Sequence, residues 1–355
     1  MNKTVLAGIT VISTILLLSC GGNGGGNNDD KSCWYSSDAS INLADLLCDW
    51  KEYPSNPLIQ PAEENGLIGD PTIVLPADAP DGKWHMFAYG LMGIHHLTSL
   101  DGISWKMLPA TLFSIGVVRP FVFRDKSGTK PVFYMFVEQY SSLTASEMYY
   151  STSTDLKHWN DLAVLLKPEL AWETDPNSTL GNPYLMYRED QKKYWLYYSA
   201  SNVLIPECKF YEPLHIGVAV SDGILGPYSK NPQPIISPDS SNPLMNMGAG
   251  SIKLLQEKVG GRFVALNNGI YKDSEGKSRS AIEVLSSADG LKWNYVCNGA
   301  VVAPSGDGWK KAFVYAFDTV RVGDQIRMYF NARDGWSGGV ERIGMATLDL
   351  PCYRK

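Results

Sequence analysis

The chain is poor in the residue patterns that announce common chemistries. It has five histidines, none at zinc-ligating spacing, and no Cys-x-x-Cys pair, so no transition-metal site is expected. The adjacent pair His95-His96 would send its side chains to opposite faces of a strand, and a solvated position is expected for it. There is no Gly-x-Ser-x-Gly elbow, no Walker loop and no kinase signature set, which excludes the familiar serine-hydrolase and nucleotide-dependent classes. The longest Gly-rich run, GGNGGGNNDD after Cys20, does not sit between a strand and a helix. A basic field is also missing: the formal net charge is −6 and the pI is near 5.4, which argues against nucleic acid as a partner.

The N-terminus carries one short apolar stretch. Lys3 supplies a positive flank, residues 5–18 are apolar but too few for a comfortable membrane span, and Leu17-Leu18-Ser19-Cys20 ends the run. This resembles a bacterial lipoprotein signal with its lipobox. The resemblance implies a signal peptide over 1–19, lipidation of Cys20, a flexible tether over 20–32, and a lipid-anchored place in the bacterial cell envelope, at the outer membrane or cell surface. The membrane would be met only through the anchor, since about ten tether residues reach roughly 16–19 Å. Export permits disulfides among Cys33, Cys48, Cys208, Cys297 and Cys352, and the odd number leaves at least one thiol over. Cys33 with Cys48 and Cys297 with Cys352 are the pairings expected.

What the chain has is a fivefold repeat. An apolar strand opened by a polar residue, often followed by Pro, leads through a short turn to an aromatic-rich strand. The copies are GDPTIVL…KWHMFAYG from Gly69, VRPFVFRDKSGTKPVFYMFVEQY from Val118, GNPYLMYREDQKKYWLYYSAS from Gly181, GAGSIKLLQEKVGGRFVALNNG from Gly248 and FDTVRVGDQIRMYFNARDG from Phe317. A second phrase follows four of them: SLDGISW, STDLKHW, SDGILGPY and SADGLKW, in which Asp-Gly suits a tight turn and the aromatic opens an outer strand. The expected fold is all-β, a five-bladed β-propeller of four-stranded antiparallel blades within a single domain over 33–355. The fifth copy lacks an outer strand, and residues 53–61, YPSNPLIQP, echo the outer strand YSKNPQPIISP of the third blade. An N-terminal strand is therefore expected to complete the fifth blade and close the ring.

A propeller gathers the starts of its first strands and the ends of its second strands around one pocket. The first ring comprises Asp70, Arg119, Asn182, Gly248 to Gly250, and Phe317 or Asp318; the second comprises Tyr89, Glu138, Ser199, Asn267 or Asn268, and Asn331 or Arg333. Polar residues at the ends of such apolar strands exceed what a packed core needs.

The Gly69-Asp70-Pro71 opening, the Arg-Pro and Asn-Pro openings, the Asn56-Pro57-Leu58-Ile59 lead-in and STDLKHW together resemble the five-bladed propeller glycoside hydrolases of family 43 and its relatives in families 32, 68, 117 and 130. The likeness runs from about Tyr53 to Leu350. It implies a carbohydrate-active protein on an oligo- or polysaccharide, with Asp70 as the base. The family's two further carboxylates are not matched, since Arg119, Asn182 and the Met247-Gly248-Ala249-Gly250 stretch stand at the corresponding openings. Glu138, ending an aromatic strand beside Phe136 and Tyr140, is the candidate acid, raised by apolar neighbours, or else a buried partner for Arg119, which enters on the same blade. Two carboxyls flanking one bond suffice for glycosidic cleavage. Arg119, Asn182, Glu173, Asp175, Asp318, Arg333 and Trp336 are the candidate sugar-binding or acidity-tuning residues. A non-catalytic sugar-binding propeller, or a phosphorylase or transferase with Arg119 and Arg333 on phosphate, stays open at this stage. No cofactor is required, and a structural calcium in the central channel, as in some relatives, is also open.

Overall fold

The structure, a computed structural model, describes residues 33–62 and 66–352. Residues 1–19, the tether over 20–32 and Cys20 lie outside the described residues. None of the described helices is long and apolar enough to cross a membrane.

Strands dominate. A two-residue strand β1 (Lys51–Glu52) precedes the first blade, which is β2 (Ile68–Val74), β3 (Trp84–Gly90), β4 (Gly93–Ser99) and β5 (Trp105–Leu112). The second blade is β6 (Val117–Asp125), β7 (Val132–Ser142), β8 (Ala145–Ser153) and β9 (Ala163–Leu166). The third is β10 (Leu180–Arg188), β11 (Lys193–Ile205), β12 (Phe210–Ser221) and β13 (Ser229–Lys230). The fourth is β14 (Ile252–Leu254), β15 (Phe263–Lys272), β16 (Ser278–Ser287) and β17 (Asn294–Tyr295). The fifth has β18 (Phe313–Val322), β19 (Gln325–Arg333) and β20 (Glu341–Asp349), with β1 in its fourth position. Each blade is a four-stranded antiparallel sheet.

The strand added to the fifth blade lies two residues upstream of the segment picked out by sequence. Lys51 pairs with Thr347 and Glu52 with Ala346, and residues 53–61 continue along β20 with an interrupted set of contacts: Tyr53 N–H to the Met345 carbonyl, the Asn56 side chain to both the N–H and the carbonyl of Met345, and an isolated antiparallel bridge in which Ile59 and Ile343 exchange N–H to carbonyl bonds. Pro54, Pro57 and Pro61 have no N–H to donate, so a continuous ladder cannot run through that stretch.

The Ser-x-Asp phrase is a polar turn that recurs with the same bonds. Ser99 Oγ accepts from the Asp101 and Gly102 N–H groups, and Asp101 accepts from those of Ile103 and Ser104. Ser153 with Asp155, and Ser287 with Asp289, repeat the pattern. The fourth residue, after the aspartate, takes a left-handed backbone, φ 74° at Gly102 and 83° at Gly290. These turns also tie blades together: the Tyr329 hydroxyl of the fifth blade donates to the Gly102 carbonyl, and that of Tyr197 in the third donates to Gly290. A Cβ at either glycine would lie under 3 Å from the tyrosine oxygen, so glycine is required twice over.

The cysteine pairing differs from expectation. Cys33 is bonded to Cys352 and Cys48 to Cys297, leaving Cys208 unpaired among the described residues. The residues between Cys33 and Cys48 pack against distant strands. Tyr35, Leu47 and Trp50 are buried with Leu255, Val259, Val264, Val314 and Leu350, and helix α1 (Leu43–Leu47) holds Cys48 over the fourth blade. This plug covers the face where the first strands end and the second begin. The Cys48–Cys297 bridge closes a separation of 249 residues. Replacing both by Ala should lower unfolding free energy by about 2–5 kcal/mol, because a long loop is released in the unfolded chain. Denaturant unfolding checks this, and an unshifted midpoint would contradict it.

His95 and His96 are buried in β4 rather than solvated. The His96 ring stacks on Phe87 and shares a 2.8 Å hydrogen bond with His85, whose other nitrogen meets Asp81. Burial and the neighbouring His85 push the His96 pKa down to about 4, so it is neutral at physiological pH.

Candidate functional site

A cavity of about 330 Å³ opens at the face where first strands begin, second strands end and third strands begin. Asp70, Arg119, Asn182 and Arg333 all line it, which brings four of the candidate residues together.

The first three share a backbone device. Asp70, Arg119 and Asn182 each precede a proline at a blade opening and each has a positive φ, 48°, 54° and 48°, inside a register shift of the ladder. A left-handed non-glycine residue costs about 1–3 kcal/mol and persists only where its surroundings hold it. The bulge breaks strand alternation and brings these side chains to the cavity. At Asp70 the holding contact is its own N–H, which donates to Asn331 Oδ1 at 3.1 Å. Asn331 in turn donates to Glu341, and Arg333 completes the string with a 3.0 Å ion pair to Glu341. Asn182 donates to Ser199, which donates to the Gly250 carbonyl.

Glu138 does not line the cavity. It is 1% exposed and lies under Arg119, which donates to one carboxyl oxygen at 2.5 Å while Ser146 donates to the other at 2.7 Å. A Cβ at Gly181 would lie 1.9 Å from the Glu138 carboxylate, so there is no room for a side chain there. Both oxygens are engaged, so Glu138 anchors Arg119 instead of facing a leaving group.

Other candidates fall away from the cavity too. Glu173 is buried at the outer part of the third blade, accepting from Tyr198, Lys230 and two backbone N–H groups. Asp175 is exposed in the following loop and does not line the cavity. Trp336 packs against Phe313 and donates to the Ser278 carbonyl, a structural support beside the rim. Asp318 sits deeper on the axis, accepting from the Ile73 N–H at 2.8 Å and facing Lys253 at 3.7 Å.

Lys253 occupies the channel itself. Its ammonium, buried, lies 3.4 Å from the Pro71 carbonyl and 5.6 Å from the Phe121 ring, so it touches first strands of the first, second and fifth blades. These residues do not fit a calcium ion: the cation at the convergence of strands is already the lysine. Among the described residues no group of three or more His, Cys, Asp or Glu could hold a metal.

Two carboxyls that sequence reading missed do line the cavity, Glu212 and Glu341. Both begin third strands, β12 and β20, a ring that the first- and second-strand argument left out. The signal was present in Glu212-Pro213, a polar residue before Pro like the blade openings. Glu212 arrives on the longest hairpin of the fold and takes the place vacated in the fourth blade. The Gly250 and Ala249 N–H groups donate to the Pro213 and Leu214 carbonyls, and a Cβ at Gly248 would meet the Pro213 oxygen at 2.6 Å. The small residues at the fourth opening are what let this hairpin lie down.

The electrostatics separate the carboxyls. Burial raises the Glu212 pKa to about 8, with Arg119 opposing and Glu341 and Asp70 adding to the rise. Burial likewise raises Asp70, to about 6, against the pull of Arg119 and Lys253. Glu341, also raised by burial to about 7, is spoken for by Arg333 and Asn331. No protein donor lies within hydrogen-bonding distance of the Asp70 or Glu212 carboxyls among the described residues. The Tyr315 hydroxyl, buried in the cavity wall, also has no partner there.

No protein-family model matches the chain, and no curated protein matches it. Solved structures do. A thermostable family-43 glycoside hydrolase superposes with a TM-score of 0.56 at 12% identity, over 82% of this chain and 91% of that one. A family 117 glycoside hydrolase of Zobellia galactanivorans gives 0.52 at 16%, over 85% and 89%. An N-acetylgalactosamine deacetylase from F. plautii, in complex with blood group B trisaccharide, gives 0.57 at 13%, over 85% and 94%. The chain has the five-bladed propeller fold of glycoside hydrolase families 43 and 117. At these identities the likeness is one of fold, and the propeller's chemistry has to be argued from its cavity.

Proposed function

We propose that the protein is a glycoside hydrolase in which Asp70 is the general base and Glu212 the general acid. The observation that carries this is that Asp70 and Glu212 are two cavity carboxyls, neither held by a protein donor, whose surroundings set their pKa values apart. The protonated Glu212 gives its proton to the glycosidic oxygen as the bond from the anomeric carbon breaks. A water attacks that carbon, and its proton passes to ionised Asp70. Asn182, which lines the cavity, would hold a sugar hydroxyl. Arg119 and Arg333 face the cavity while paired to Glu138 and Glu341, which supports a role in orienting neutral sugar oxygens over one in capturing phosphate.

The relatives by fold include proteins described as arabinanases, and they suggest where to look for substrate. We read the chain as an envelope lipoprotein anchored at Cys20. Its described part begins at Cys33, bonded to Cys352 on the face opposite the cavity.

The direct test is incubation with arabinan, xylan, agarose, pectin fragments and their oligosaccharides, reading released sugars by chromatography. Release by the wild-type chain and none by D70N supports the reading; binding without release by either would favour a sugar-binding protein. The pH dependence follows from the two groups. Asp70 must be ionised, so kcat/KM should rise through about pH 6, and Glu212 must be protonated, so it should fall through about pH 8. A profile that stays flat from pH 5 to 9 would contradict the assignment.

A further inference from the structure

The third blade has a longer hairpin than the others, with 13 residues in β11 and 12 in β12 against 7 in each of β3 and β4. Its tip does not stand free in solvent. Ile205, fully buried, joins Ile270 of the fourth blade and Ala312, Phe313 and Tyr315 of the fifth in one apolar cluster. The Phe210 ring lies 6.0 Å from that of Phe313, and the Arg333 guanidinium covers it at 5.5 Å. Glu207 accepts from the N–H and the hydroxyl of Ser278, at 3.1 and 2.8 Å, fixing the tip to the start of β16. The turn is tight, with the Cys208 and Lys209 N–H groups both on the Ile205 carbonyl. The third blade therefore touches the fifth directly, across the mouth, and Lys209, Phe210 and Tyr211 line the cavity from above.

We propose that residues 205–210 form a wall that blocks the cavity on the side of the fourth and fifth blades, so that the protein acts only at the end of a glycan chain and removes one sugar residue at a time. This rests on the hydrolase reading above. A groove that admits the middle of a chain needs two open sides, and the hairpin leaves one. On that remaining side, toward the first and second blades, the rim carries Leu143 and Ile115, 77% and 69% exposed, with no element over them among the described residues. The cavity volume, about 330 Å³, is at the small end for ligand sites and suits one terminal unit.

The test uses reducing-end-labelled oligosaccharides of three to six units from the panel above, with products followed over time. The wild type should shorten the labelled chain by single units from the first time point. Internal cleavage from the start would overturn the wall and leave the hydrolase reading standing; no cleavage of any panel member would overturn that reading and the wall's role with it. Glu207→Ala removes the latch without touching the cavity. Two charge-assisted hydrogen bonds are lost, so amide hydrogen exchange across residues 205–210, read by mass spectrometry of that peptide, should quicken by about tenfold or more, and internal products should appear. Faster exchange with products still released one unit at a time would overturn the proposal, as would internal products without faster exchange.

Discussion

Asp70→Asn should lower hydrolysis by about 10³-fold while leaving sugar binding intact. The loss follows from removing the proposed base for water's proton; the retained binding follows from the backbone. Position 70 holds a left-handed φ of 48°, which Asn tolerates better than most residues, and its N–H contact to Asn331 does not involve the side chain. The folded cavity should therefore survive the change, with the amide filling the volume of the carboxyl. Steady-state rates on a cleaved oligosaccharide and calorimetric titration of the same sugar into D70N measure the two effects. Activity near wild type would remove Asp70 from the mechanism, and lost binding would reassign it to substrate recognition.

Glu212→Gln should cost about 10²–10⁴-fold on natural oligosaccharides and far less on a nitrophenyl glycoside, because a good leaving group departs without a proton. That dependence on leaving group is the signature of a general acid, and a merely structural residue would not show it. Glu138→Gln is the contrasting variant. Its carboxylate is the buried partner of Arg119, and breaking such a pair from one side costs about 3–5 kcal/mol of stability. Glu138→Gln should lower the unfolding midpoint and slow all substrates alike. If instead it stays stable and spares only the nitrophenyl substrate, Glu138 is the acid and Glu212 is not.

Much of the fold was legible because it repeats. Five openings, five aromatic strands and the Ser-x-Asp turns each specify local geometry through short-range chemistry: a polar residue before Pro, alternating burial, a serine and an aspartate capping a turn. Asp70, Arg119 and Asn182 were legible as cavity residues for the same reason, being one position in three copies. Glu212 was not, although Glu212-Pro213 imitates an opening. It begins a third strand, and only the length of its hairpin, set by contacts with the fourth and fifth blades, carries it into the cavity. For Glu138 the sequence left two readings, an acid or a buried partner of Arg119, and the structure has the second: Arg119 and Ser146 occupy both carboxyl oxygens. The cysteines show the same limit, since Cys33 and Cys48 are near in sequence but part of a plug whose packing partners come from the far end of the chain.

The amino-acid sequence by itself determined the number of blades, the order of strands and the place of Asp70 at a blade opening, since each depends on residues within one repeat and on strand periodicity. The tertiary structure alone decided which second carboxyl shares the cavity, which cysteines meet and which side of the mouth is closed. Those depend on how blades three, four and five lie against one another, where glycine at 248 and 250 yields space and a long hairpin fills it, and no single repeat contains that information.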